Sequence, residues 1–235
     1  MIISGFKINL YAPKGVEDQP INLKIPDVIR LGRATIYCSG PKLSFTDGEV
    51  NVLVRIDNPQ VGEWKIEVIS DNIYPTNIWI SQQELNAYIT LNPSDPFITV
   101  GSVGTSNTVM TIGAYDKDNM VVIGSSGRGY ATDNRIQPFA ITNGNNIIAP
   151  CKSGEWAKVT GTLPAVSVML GVVATVYDKC IQEQVSPFPN TVIMKSILRS
   201  TLQRLQGVEY PNPSQGYGIY DVQTLNILLT ASFAL

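Results

Sequence analysis

Apolar residues alternate with polar ones in six short runs over the first 80 positions: Phe6/Ile8/Leu10, Ile21/Leu23/Ile25, Ala34/Ile36/Cys38, Val50/Val52/Val54/Ile56, Trp64/Ile66/Val68 and Ile78/Ile80. A period of two puts each apolar set on one face of a strand. The runs are broken at Pro13-Lys14-Gly15, Ser39-Gly40-Pro41, Asp47-Gly48 and Asn58-Pro59, residue types that turn the chain. Several short, evenly spaced strands predict an all-β sandwich of the jelly-roll kind. The proline-containing segment 92–97 (NPSDPF) reads as a linker, which divides the chain into domains 1–97 and 98–235.

Past that linker the period changes. Val109 to Tyr115 and Met120 to Ile123 predict a hairpin around Asp116-Lys117-Asp118-Asn119, and Ile147-Ile148 a short buried strand. Ala165 to Tyr177 is apolar on every side, with Pro164 suited to a first helical turn, and predicts a helix buried in the middle of a layered α/β domain. A last helix is expected from an N-cap at Asn190, through Ile193, Ile197 and Leu205 at helical spacing, with Lys195, Arg199 and Arg204 facing outward and Gly207 as its C-cap. The expected fold is therefore mixed: an N-terminal β-sandwich followed by an α/β portion.

Composition narrows the chemistry. Over 235 residues the chain is 44% apolar and 15% charged, with a net charge of −2; this can bury one large core or two modest ones and supplies no basic field to attract nucleic acid. The N-terminus alternates and lacks a basic region, so it reads as a strand and not a signal peptide. The run Leu163 to Tyr177 falls short of the ~20 residues of a membrane span. Cys38, Cys151 and Cys180 have no CxxC spacing and there is no histidine, so no metal site and no cofactor is expected; three buried or half-buried thiols in a reducing, intracellular setting are expected. Asp116 and Asp118 lack the glutamate that a calcium loop would require downstream.

Particular motifs add a resemblance. Gly161 to Gly171 (GTLPAVSVMLG) has the outline of the Gly-Thr-Ser-x-Ala-Ala-Pro run of subtilisin-like proteases, with Leu163 at the position of the nucleophilic serine. Asn107 to Tyr115 (NTVMTIGAY), Ser125 to Gly129 (SSGRG), Asp133 to Ile147 (DNRIQPFAITNGNNI) and Tyr210 to Gly218 (YPNPSQGYG) are similar, in order, to further subtilase motifs. Phe139 departs from the usual aspartate, and Thr142 and Asn143 from Ala-Pro. Ile56 to Val68 (IDNPQVGEWKIEV) resembles the strand-turn-strand of the β-sandwich insertion in Csp-type subtilases of spore-forming bacteria.

The resemblance implies the jelly-roll insertion plus the C-terminal half of a Csp-type subtilase. The aspartate, histidine and oxyanion-hole asparagine of that family would lie in an upstream half. With leucine at position 163 and no imidazole to act as base, the sequence implies no enzymatic activity: a pseudoprotease serving as a binding or regulatory scaffold, in the family's setting of bacterial spore germination. Ser125, Ser126, Gly127, Gly161 and Thr162 are the expected remnants of its substrate cleft. A protein partner or companion segment is expected to supply the upstream half. The alternatives are one half of a split subtilase completed by another chain, or a sandwich that binds carbohydrate or another ligand, for which Trp64, Trp79 and Trp156 are the candidate platforms.

Overall fold

The computed structural model describes residues 6–43, 50–70, 76–80 and 89–230; the Asp47-Gly48 turn lies outside them. The chain divides into two compact units, Met1–Ile78 and Trp79–Leu235.

The first unit is all antiparallel. Strands β1 (Phe6–Tyr11), β2 (Ile21–Leu23), β3 (Asp27–Leu31), β4 (Ala34–Leu43), β5 (Val50–Asp57) and β6 (Lys65–Ser70) form two three-stranded sheets, ordered β2-β1-β6 and β3-β4-β5. Their inward residues meet in one core, where Ile8, Leu10 and Leu23 from the first sheet pack with Ile36 and Cys38 from the second, the arrangement of a sandwich. Trp64 joins that core and its indole Nε1–H donates to the Gln60 carbonyl at 3.0 Å. Strand β3 was not expected. Its alternation is carried by Asp27, Ile29 and Leu31, and a two-residue turn with Gly32 at φ 58° folds it onto β4. Ile78 and Ile80, expected as a strand, lie in a segment without regular structure.

The second unit is an α/β layer. Strands β7 (Ile112–Asp116), β8 (Val121–Val122), β9 (Ala140–Asn143) and β12 (Ile219–Tyr220) make a sheet ordered β12-β9-β7-β8; β12, β9 and β7 run parallel and β8 returns antiparallel. As expected, β7 and β8 form a hairpin. At its tip the Asp116 carboxylate accepts from Asp118 N, Asn119 N and Asn119 Nδ2, and the bond from the Asn119 side chain helps hold that carboxyl below its ordinary pKa. Strands β10 (Ile147–Pro150) and β11 (Trp156–Val159) pair as a separate hairpin. The buried strand expected at Ile147-Ile148 is thus half of an exposed hairpin, because β10 pairs with β11 and adds nothing to the main sheet.

Helix α1 runs from Thr162 to Gln182 and α2 from Thr191 to Arg199, with a short α3 at Leu225–Thr230. Ala165, Met169, Val172, Val176 and Cys180 of α1 pack on Ile112, Ala114, Phe139 and Ala140, together with Met194 and Leu198 of α2. Tyr115, Ile141 and Ile219 form a smaller cluster of their own, so the sheet alternates between two layers. By length and composition α1 could cross a membrane, but its buried stripe belongs to this core. Two helical expectations are corrected. Only one face of α1 is covered, where burial on every side was predicted. In α2, Asn190 is the N-cap, accepting from Val192 N and Ile193 N, but the helix ends at Arg199; Gly207, with φ 77°, occupies a later turn, and Lys195 is half-buried rather than outward-facing.

The three thiols differ sharply in environment. Cys38 and Cys180 are buried, but Cys151, expected to be at least half-buried, is exposed, because it lies in the turn of the β10–β11 hairpin. Burial raises the pKa of both buried thiols, assisted by Asp27 at Cys38 and Glu183 at Cys180. Because the thiolate is the nucleophile, iodoacetamide is expected to modify Cys151 alone in the native chain and all three cysteines after denaturation, as read by intact mass; rapid native labelling of Cys180 would contradict the α1 packing.

Candidate functional site

The start of α1 is seated at the carboxyl ends of the parallel strands, the edge at which open α/β sheets bind ligands. Three backbone contacts fix it. Gly144, the residue after β9, donates to Tyr115 O at 2.9 Å; Gly161 donates to Gly144 O at 2.9 Å; Ala165 then closes the first helical turn on Gly161 O at 3.4 Å. A side chain at Gly144 would sit 2.4 Å from the Gly161 carbonyl and 3.1 Å from the Cβ atoms of both Ala114 and Ala165. Gly161 has φ 145° and caps the helix without a side-chain bond, so the N–H groups of Thr162 and Leu163 precede the first intrahelical bond.

Around this point the strand ends are rich in amides. Thr160 Oγ1 donates to Asn145 Oδ1 at 2.9 Å and accepts from Asn146 N at 3.1 Å, while Asn143 Oδ1 accepts from Asn145 N at 3.2 Å. Leu163 projects from the helix start and is 80% exposed. An exposed leucine at this position cannot attack a carbonyl. Of the nearby hydroxyls, Thr162 is half-buried and Ser167 is engaged with Leu163 O at 3.0 Å. What the site offers is a surface: helix N–H groups, carboxamides and an apolar side chain.

Gly161, Thr162 and Leu163 are consecutive at that surface. The loop remnants lie along β7. Ser126 is buried, and its Oγ accepts from Ala114 N at 3.0 Å, filling a strand-edge position of β7; Ser125 is exposed beside it. Gly127 lets the loop approach segment 99–100, since a Cβ there would lie 3.1 Å from Thr99 O. Ala114 links the two groups, with its N–H on Ser126 and its Cβ against Gly144. Sequence reasoning did not single out Gly144, Asn145 or Thr160. The available signal was Gly144, which is unchanged where Thr142 and Asn143 depart from the subtilase pattern.

No protein-family model and no curated protein matches the chain. Among solved structures, the CspB protease of Clostridium perfringens is similar over 97% of this chain and 50% of its own length, at 25% identity and a TM-score of 0.78. The chain has a subtilase-like fold. Weaker likenesses run to the prenylagaramide maturation protease PagA (19% identity, 58% of this chain, 48% of that one, TM-score 0.47) and the patellamide maturation protease PatA (18%, 57%, 47%, 0.47).

The likeness to CspB overturns the expectation of a non-catalytic scaffold or carbohydrate-binding module. The structure to which nearly the whole chain is similar is a protease, and the chain spans half its length. Leu163 and the missing imidazole are properties of these 235 residues. The carbohydrate alternative also loses its platform. Of the three tryptophans only Trp64 belongs to the sandwich unit, and it is packed into the core, while Trp79 and Trp156 lie in the second unit.

Gly144→Ala is expected to destabilise the second unit by about 2 kcal/mol or more, because the added carbon meets backbone that cannot yield. Gly171→Ala, in the exposed middle of α1 with open space around its Cα, is expected to stabilise by about 0.5–1 kcal/mol. Urea melts of both variants check the pair; equal effects would contradict the described seat of α1.

Proposed function

We propose that this chain is the C-terminal half of a subtilisin-like protease unit of the Csp type, its six-stranded sandwich being the jelly-roll insertion, and that its function is protease-like. It holds a peptide against the start of α1, and the acid–base groups of the unit come from an upstream half, carried by a companion segment or another chain. The observation that carries this reading is the second apolar face of α1. Leu163, Val166, Leu170, Ala174 and Ile181 recur at spacings of 3, 4, 4 and 7 and form one stripe on the side opposite the buried one. Leu163 is 80%, Val166 45%, Leu170 66% and Ile181 64% exposed. A stripe of this length is a packing surface. The 50% of CspB left uncovered by the likeness supports a complementary half as its occupant.

The test is reconstitution. Co-expressed with the upstream half of the CspB protease, the chain is expected to run as a one-to-one complex in size-exclusion chromatography with light scattering, with residues 163–170 protected from hydrogen exchange. Leu170→Asp places a charge in that contact and is expected to abolish the complex while leaving the isolated chain folded. The isolated chain is expected to hydrolyse no fluorogenic peptide, lacking an imidazole, whereas Leu163→Ser within the complex is expected to react with a fluorophosphonate. A complex insensitive to Leu170→Asp, or none at all, would refute the reading.

A further inference from the structure

We propose that the cleft between α2 and the amino ends of β7, β9 and β12 is a binding site for a tetrahedral oxyanion, a phosphate or sulfate group. Three cations meet there, Arg135, Lys195 and Arg199, around a cavity of about 360 Å³ also lined by Asn107, Gln137 and Tyr217. The chain as a whole is net negative, so this cluster runs against its overall charge. Only one carboxylate answers it: Asp133 pairs with Arg135, leaving a formal local charge of +2 from three cations and one anion. Among the described residues neither Lys195 nor Arg199 has an ion-pair partner. Like charges packed this way repel one another unless an anion lies between them. The pKa of the Lys195 ammonium is lowered, first by burial and then by Arg135.

The donors are only partly used. Lys195 Nζ spends one of its N–H groups on Asn107 O at 3.4 Å, and Arg199 lies with its guanidinium carbon 4.0 Å from the Tyr217 ring centroid; stacking fixes the guanidinium plane while its edge stays free to donate. A tetrahedral oxyanion answers this arrangement, since its charged oxygens accept from all three cations at once.

The site is distinct from the start of α1. Asn107 precedes β7, Arg135 and Gln137 precede β9, and Tyr217 precedes β12. These three strands are parallel, so their amino ends share the sheet edge opposite the one that carries Gly144 and Leu163.

Thermal unfolding of the full chain at about pH 7.5, where phosphates carry close to two negative charges, tests the assignment at fixed ionic strength. Inorganic phosphate, sulfate and glycerol 3-phosphate are expected to raise the melting midpoint saturably above that in chloride. Tighter binding of the ester identifies a phosphorylated ligand, and tighter binding of inorganic phosphate identifies the free ion. The double substitution Lys195→Gln/Arg199→Gln is expected to weaken phosphate at least about tenfold, the loss of charge-assisted hydrogen bonds. Should the double variant fail to fold, Arg199→Gln alone, on the exposed face of α2, is expected to weaken it several-fold. No effect beyond chloride, or an undiminished effect in the variants, would overturn the proposal.

Discussion

The second unit depends on how closely two backbones approach at Gly144. Its N–H is donated to the end of β7 and its carbonyl receives Gly161, so a single residue fastens the parallel pair β7 and β9 to the origin of the longest helix. Any Cβ at 144 would collide with the Gly161 carbonyl, and Gly161 itself holds a φ of 145° that other residues rarely adopt. Two glycines therefore set the position and direction of α1. From that point Ala165, Met169, Val172, Val176 and Cys180 are carried across the sheet in register with Ile112, Ala114 and Ala140, and Leu163 is delivered to the strand ends.

The same helix gives a compact unit an uncovered apolar surface. Its outward stripe exposes several large apolar side chains, each of which would gain about 1.5–3 kcal/mol on full burial. Three or four such side chains are comparable with the entire net stability of a typical domain, about 5–15 kcal/mol. An apolar face of that worth is consistent with a helix meant to be covered on both sides, and it accounts for the valine-rich composition of α1. Helix propensity alone would not choose so many β-branched residues, whereas packing between two layers selects for apolar volume and tolerates their stiffness.

Much of this was legible in the sequence because it is local. Alternation located five of the six sandwich strands, Asn190 announced α2, and the β7–β8 hairpin followed from a polar tip between apolar runs. What failed was non-local. The pattern of α1 is apolar all round, which is the signature of a buried helix, but a sequence pattern cannot say how many sides of a helix the folded chain covers. Strand β3 was hidden because its inward set begins with an aspartate and follows a proline. Ile147 and Ile148 were assigned to the core on hydrophobicity, whereas backbone pairing with Trp156–Val159 decided their place. Leu163 was recognised by its neighbours in a motif, yet its exposure depended on Gly144, nineteen positions away.

The two edges of the sheet make the general point. Parallel register brings Asn107, Gln137 and Tyr217 to one end of β7, β9 and β12 and Tyr115 and Gly144 to the other, although in sequence the two sets are interleaved. Each strand contributes its preceding loop to the basic cleft, and the residue after β9 seats the start of α1 against the end of β7. A change in strand register would therefore disturb both at once, while a change in either loop would leave the other intact. The fold thus separates an apolar, amide-lined edge from a cationic one by the length of a short strand, roughly 13 Å for four residues. That separation lets the chain carry opposite chemistries without mutual interference.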